Sequence, residues 1–318
     1  MMMTGAERVI IREVGLRDGL QALPAIMATD DKRAWCTAAA EAGFAEIEMT
    51  SLVPPGYMPQ FADAADVITH VKTLPDVTGS ALVPNLRGAE RAAQLGVAKI
   101  TFIVSASESF NQANVRRSRR HSIGELERIV ALRDSRPTAQ RFQVVGGISS
   151  AFGCSIEGQV DIAAVVRLAG TLLEIGVDEL AVADTVGYGD PAAVRRMLTA
   201  LLPLAGAVPV SAHFHDTRGT GMANVLAALD HGLRRFDASL GGLGGCPNAP
   251  GATGNIATED LVYLLEAMGF DTGIDIDRVI ELCRKIAARL PAAAMSGHLA
   301  QAGLPAGWTA RARPGPRR

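Results

Sequence analysis

Apolar and β-branched positions fall into eight short runs along the chain: VIIREV (9–14), AEIEMT (45–50), VTGSALV (77–83), AKITFIV (98–104), FQVVGGI (142–148), DELAVA (178–183), VPVSAH (208–213) and FDASLG (236–241). Runs of this length bounded by turn formers predict strands. Between them, apolar residues recur at helical spacing in DDKRAWCTAAAEAG (30–43), RGAERAAQLG (87–96), SIGELERIVALRD (122–134), DIAAVVRLAGTLLEIG (161–176) and TGMANVLAALDHG (220–232). Four of these close on Gly43, Gly96, Gly176 and Gly232, and a new strand follows each within a few residues. Glycine ends a helix in the left-handed conformation without a Cβ penalty, so the pattern is one of helix-to-strand returns.

Near-continuous apolar strands separated by helices imply a parallel sheet covered on both faces. Eight such units predict a closed (β/α)8 TIM barrel. A doubly wound open sheet is the runner-up, but no GxGxxG follows the first strand. TEDLVYLLEAMG (258–269) and IDRVIELCRKIAARL (276–290) carry no strand and predict the last barrel helix plus an appended C-terminal helical region. The expected organisation is an extension over 1–8, the barrel with its appended helices over 9–290, and a tail over 291–318 that is partly disordered, ending in ARARPGPRR. In such a barrel, chemistry belongs at the C-terminal ends of the strands.

Charge narrows the ligands. The chain has 31 Lys and Arg against 33 Asp and Glu, a net charge of -2, with no long single-sign block before its end. This argues against nucleic acid or an anionic membrane surface as partner. Cys36, Cys154, Cys246 and Cys283 lie far apart with no CxxC pair, which fits a reducing compartment better than a disulfide framework. No apolar run has membrane-spanning length and MMMTGAER carries no export or transit pattern, so a cytoplasmic protein is expected.

The strand ends carry the candidate chemistry. Strand one runs into VGLRDGLQ, which sets Arg17 beside Asp18 at the barrel mouth; alone, the pair would also suit a surface turn with a local ion pair. Strand seven ends in SAHFHDTRG, where side-chain alternation points His213 and His215 to one side. A lone buried His is usually a hydrogen-bonded core residue, as expected of His231, whereas His-x-His at a barrel strand end makes a metal clamp. Two imidazoles with Asp18 and a neutral amide form a mixed N/O site that suits Mg²⁺ or Mn²⁺ better than Zn²⁺. Glu48 and Asp184 end strands two and six, and Arg17 or the metal could partner either, with structural salt bridging as the alternative. After strand eight the glycine-rich run Gly241 to Asn255 lets backbone approach a ligand closely. Cys246 sits in its middle as a candidate proton donor or acceptor, while Cys36 and Cys283 fall in helical stretches as structural cysteines do. Asn255, taken alone, reads as a cap or turn residue.

In order along the chain, VGLRDGLQ, IEMTS, HFHDT and GGLGGCPNAPGATGN with ATEDLVYLLE closely resemble the 3-hydroxy-3-methylglutaryl-CoA lyase family, within the metal-dependent TIM-barrel lyase and synthase superfamily. The resemblance runs from about Val9 to Cys283. It implies Asp18, His213, His215 and Asn255 as metal ligands, and a catalytic set of Arg17, Asp18, Glu48, Asp184, His213 and Cys246. Arg17 would stabilise the enolate oxygen, Cys246 would be the proton donor on a mobile loop, and Glu48 and Asp184 would surround the reacting carbons. The implied reaction is a retro-Claisen cleavage giving acetoacetate and acetyl-CoA, with Asp18 or a ligated water as candidates for taking the hydroxyl proton. The implied partners are a divalent metal, an acyl-CoA substrate and, as family members are commonly oligomeric, further copies of the chain.

Departures from the family bear on substrate. Relatives of the human type carry tyrosine at the end of strand five, where this chain has Gly147 in VVGGIS. A wider site would admit a C3 substituent bulkier than methyl, or the lost hydroxyl is supplied elsewhere. Arg116, Arg117, Arg119 and Arg120 make the stretch NQANVRRSRRHS unusually basic; they could meet the phosphates of coenzyme A or form a solvated loop. The C-terminal cysteine of some relatives is absent, so regulation through that thiol is not expected. A Claisen-condensing synthase of the isopropylmalate type shares the Arg-Asp pair and the His-x-His, but RDGLQ with GGCPNAPGATGN is of the lyase type. A non-enzymatic metal-binding barrel leaves unexplained why acid, base and thiol share one rim.

Overall fold

The eight apolar runs pair edge to edge, all parallel, into a closed barrel: β1 (Ile10–Glu13), β2 (Glu46–Ser51), β3 (Thr78–Leu82), β4 (Lys99–Ser105), β5 (Gln143–Ser149), β6 (Glu179–Asp184), β7 (Val210–Phe214) and β8 (Arg235–Ala238). β8 closes on β1 in the register Ile10↔Arg235 to Glu13↔Ala238. The architecture is taken from a computed structural model that describes residues 6–21, 23–245, 254–291 and 295–309. Cys246 and the ARARPGPRR terminus lie outside the described residues.

Helices α1 (Thr29–Ala42), α2 (Ala64–Val71), α3 (Leu86–Leu95), α4 (Glu108–Val115), α5 (Arg119–Asp134), α6 (Ile162–Ile175), α7 (Pro191–Ala205), α8 (Gly221–Asp230) and α9 (Thr258–Met268) alternate with the strands. Gly43, Gly96 and Gly176 cap their helices with positive φ, and Gly232 has φ 85° just beyond α8. A Cβ on Gly43 would also run into the carbonyl of Gly273, so helix end and interelement packing demand glycine together. Helix α5 begins before the apolar period does, because Ser118 Oγ accepts from the His121 N–H and caps it. α4 is largely polar and α7 carries Pro203 in its last turns, which hides both from a purely apolar reading.

One layer of the barrel interior is ionic. Arg12 Nε donates to Glu46 at 3.0 Å, Lys99 Nζ donates to both Glu46 and Glu179 at 3.0 Å, and short ion pairs join Arg12 to Glu179 and Arg235 to Glu46. Burial alone would raise Glu179, but Arg12, Lys99 and Arg235 hold it down at about 2. These charges lie deep in the barrel, below the strand ends that carry the candidate chemistry.

Beyond the barrel, α10 (Ile276–Ala287) buries an apolar face against α1 and α9. The chain then returns to the end of the barrel where the strands finish. Ser296 and Gly297 donate backbone N–H to Gly241 at 2.8 and 3.1 Å, the short α11 (Leu299–Ala302) follows, and the Trp308 ring lies 4.8 Å from that of Tyr263. Residues 295–309 are therefore packed rather than trailing. Among the described residues no helix is long and apolar enough to cross a membrane.

Candidate metal and catalytic site

The strand-one motif does not form an ordinary turn. After Val14 the chain winds into a single π-helical turn over Gly15–Gly19, with the N–H groups of Arg17 and Asp18 donating to Val14 O at 3.0 and 2.7 Å. The wide turn brings Arg17 and Asp18 into the barrel mouth, 6% and 8% exposed. There Arg17 Nε donates to Glu48 Oε2 at 2.5 Å and its Nη1 donates to Asp18 Oδ1 at 2.5 Å. Burial would raise the Asp18 carboxyl, but Arg17, His215 and His213 hold it well below the usual carboxylate range.

His213 and His215 face one side, as alternation requires, with Nε2 atoms 3.1 Å apart. Asp18 Oδ2 lies 3.9 Å from His213 Nε2 and 3.7 Å from His215 Nε2, and one ligand atom from each of the three residues falls within 4.8 Å of the others. Backbone pairing between His215 and Asn255 brings the fourth residue in. Asn255 is not a helix cap: its Nδ2 donates to Asp18 Oδ2 at 2.8 Å and to Leu243 O at 2.9 Å, and α9 begins only after Ala257. Asn255 Oδ1 is buried with no hydrogen-bond partner among the described residues. An orphan amide oxygen, a carboxylate and two imidazoles are a donor set that fits a divalent cation. Gly244, at φ 138°, passes so close that a Cβ would strike Asn255 Nδ2.

The two strand-end carboxylates behave differently. Glu48 meets Arg17, whereas the buried Asp184 accepts from the backbone N–H of Tyr188 and Gly189, both at 2.9 Å. Backbone amides, not Arg17, partner Asp184, and burial raises its pKa against them. His231 is the structural histidine expected, its Nδ1 3.1 Å from Ala227 O. Of the basic stretch, Arg117 donates to Pro84 O and Arg119 to Ala106 O, while Arg116 stacks over the Tyr57 ring and is exposed, as is Arg120.

Besides Glu46 and Glu179 of the ionic layer, sequence reasoning passed over three buried acids next to the site. Glu13 Oε1 accepts from Gly15 N at 2.8 Å and Leu240 N at 3.0 Å, and its Oε2 accepts from Thr258 Oγ1 at 2.6 Å. Burial pushes this carboxyl up to about 7. Glu259 accepts from Gly241 N at 2.9 Å and is likewise raised by burial. The two hold the π turn and the start of the glycine-rich run. Asp237 lies 3.2 Å from His213 Nδ1. The only signal in the sequence was an acid inside an apolar run or beside one.

Around Gly147 the inward face is apolar, with Thr101, Ser105 and Ser149 on the same face by alternation. A Cβ on Gly146 would point at Val177 and Leu172 in the helical layer, so Gly147 faces the interior, where its Cβ would meet Ile103 Cγ1 at 3.2 Å. Its register neighbours are Ile103 and Ala181, and Ala183 follows two residues on along the same face.

A closed (β/α)8 barrel with Asp, His, His and Asn gathered at its C-terminal mouth beside a paired arginine defines the class: a metal-site TIM-barrel enzyme. The chain belongs to the HMGL-like family, which matches residues 8–286. It is 41% identical over 286 residues to the hydroxymethylglutaryl-CoA lyase YngG of Bacillus subtilis, covering 89% of this chain and 94% of that one. It is 38% identical over 284 residues to the 3-hydroxy-3-isohexenylglutaryl-CoA/hydroxymethylglutaryl-CoA lyase of Pseudomonas aeruginosa, covering 89% and 93%. The structure of an HMG-CoA lyase from Acinetobacter baumannii in complex with coenzyme A and 3-methylmalate superposes with a TM-score of 0.90 at 37% identity, over 97% of this chain and 99% of that one.

Proposed function

We propose that the protein is a hydroxymethylglutaryl-CoA lyase that cleaves a 3-hydroxy-3-methylglutaryl thioester of coenzyme A to acetyl-CoA and acetoacetate. The observation that carries this reading is the convergence of Asp18, His213, His215 and the unpartnered Asn255 oxygen next to the Glu48-held Arg17. Those four residues would hold the cation, Mg²⁺ or Mn²⁺, which when bound supplies Lewis-acid polarisation of substrate oxygens. The substrate passes its hydroxyl proton to a water at the mouth, the C2–C3 bond breaks, its electron pair passes to the thioester as an enolate, and the C3 carbon becomes the ketone of acetoacetate. Arg17 would stabilise that enolate oxygen, and Glu48, which accepts from its Nε, keeps the guanidinium from turning away. The lowered basicity of Asp18 favours ligation over proton abstraction. Cys246 returns a proton to the new methyl carbon, and Asp184 holds the loop after β6 at the site's edge. Arg116 and Arg120 are available for coenzyme A phosphates in a way that Arg117 and Arg119 are not. A homo-oligomer accords with the family and is checked by light scattering.

Turnover of 3-hydroxy-3-methylglutaryl-CoA by purified protein with Mg²⁺ or Mn²⁺ should release acetoacetate, and release should stop in His213→Ala and Cys246→Ala. Inertness toward the thioester in the presence of bound metal would overturn the assignment. The small wall of Ile103, Gly147, Ala181 and Ala183 favours a second substrate, a 3-hydroxy-3-alkylglutaryl-CoA with a longer aliphatic C3 group, offered in the same assay. The Pseudomonas aeruginosa relative is named for a substrate of that shape as well as for the methyl compound.

A further inference from the structure

Asp237 stands between the metal site and the ionic layer beneath it. It sits on β8 in register with His213 and is 8% exposed. Its Oδ2 is 3.2 Å from His213 Nδ1, and its Oδ1 is 3.4 Å from Arg12 Nη1. Arg12 is itself held by Glu46 and Glu179. The Arg12 contact is an ion pair without a hydrogen bond: Oδ1 has no hydrogen-bond partner among the described residues, and the carboxylate's hydrogen bond is to His213.

A carboxylate oxygen accepts, so the ring nitrogen facing it carries the hydrogen. For neutral His213 that leaves the Nε2 lone pair directed at Asp18 and His215, the orientation a metal ligand needs. His215 has no such aid, because its Nδ1 is buried without a partner among the described residues. The two imidazoles are therefore unequal: among the described residues a carboxylate meets the Nδ1 of His213 and none meets that of His215.

We infer that Asp237 is a positioning residue for the metal site, fixing the tautomer and plane of His213 through the contact at Nδ1. The inference rests on the metal-site reading above, and the test separates the two by measuring metal binding without substrate. Mn²⁺ affinity is determined by equilibrium dialysis for the unsubstituted protein, Asp237→Asn, Asp237→Ala and Glu46→Gln. Glu46→Gln removes one negative charge from the ionic layer without touching His213 or Asp237. Asp237→Ala should weaken Mn²⁺ by about 10- to 100-fold and Asp237→Asn by less, with Glu46→Gln within about twofold of the parent. Nitrogen-15 histidine spectra of the metal-free protein should show His213 protonated at Nδ1 in the parent and mixed between tautomers in Asp237→Ala. Parent-like Mn²⁺ binding in Asp237→Ala, or an equal loss in Glu46→Gln, would overturn the positioning role. Failure of the parent to bind Mn²⁺ would overturn the metal site itself and the inference with it.

Discussion

Arg17 reaches across from the turn after β1 to lay its Nε 2.5 Å from Glu48 Oε2 on β2, a buried pair that joins two neighbouring barrel strands at the mouth. The two carboxylates on Arg17 serve different ends, since Glu48 fixes the guanidinium plane and Asp18 also lies with His213 and His215 in the candidate metal cluster. Arg17→Lys keeps the charge but loses the planar fork, so the ammonium cannot serve Glu48, Asp18 and an enolate together. It should lower kcat by about 10²- to 10³-fold with little change in Mn²⁺ affinity. Steady-state kinetics beside metal dialysis checks this, and a parent-like kcat would remove Arg17 from the chemistry.

Removal of metal should abolish turnover reversibly. After chelation, activity should return on adding Mg²⁺ or Mn²⁺. In His215→Ala the donor set loses an imidazole that no other described Asp, Glu, His or Cys of the cluster replaces, so restoration should need far more metal. Full activity of the chelated protein would contradict the metal site.

The frame of the site was open to sequence reading because barrel strands announce themselves as apolar runs. Their C-terminal ends then pick out Arg17, Asp18, Glu48, Asp184 and the His-x-His without any coordinates. Asn255 needed the resemblance, since its importance arises from a backbone pairing with His215 that spacing does not reveal. Glu13, Asp237 and Glu259 stayed hidden for a related reason. Each is a carboxylate with partners far away in sequence, Leu240 and Thr258 for Glu13, Gly241 for Glu259 and His213 for Asp237, so local pattern gives it no role. The π turn was equally invisible, because one extra residue in a turn leaves no periodic trace.

The ionic layer should cost much when one member is removed. Lys99 answers both Glu46 and Glu179, and Lys99→Met leaves two buried carboxylates short of a cation. Urea unfolding should show a loss of about 3–5 kcal/mol. A loss of less than about 1 kcal/mol would mean that water reaches this layer and screens it.

Gly147 tests what the apolar wall selects. In Gly147→Val the Cβ meets Ile103 at 3.2 Å, so Ile103 must shift and the added methyls take up space in the mouth. Methyl-substrate turnover should survive, whereas kcat/KM for a longer 3-alkyl substrate should fall about 10- to 200-fold, as a hydrophobic pocket loses one or two methylenes of room. Equal losses on both substrates would show that this wall does not read the C3 group.

Stability should carry an unusual dependence on pH from Glu13. Its carboxyl is raised by burial from an ordinary 4.5 to about 7, so the folded protein keeps this proton after the unfolded chain has released it. The contribution to stability is therefore full below about pH 4.5 and is lost as pH rises through 7, an amount on the order of 3 kcal/mol. Glu46, Glu179 and Asp18 act in the opposite sense: their lowered values add stability above the ordinary carboxylate range that disappears as pH falls below it. Glu13→Gln keeps an acceptor for Gly15 N and Leu240 N and titrates in neither state. Between about pH 5 and pH 8 the parent should lose stability relative to this variant, read as converging urea midpoints. If the two proteins instead change in parallel across that window, Glu13 is ionised in the folded state and the turn it holds rests on a charge.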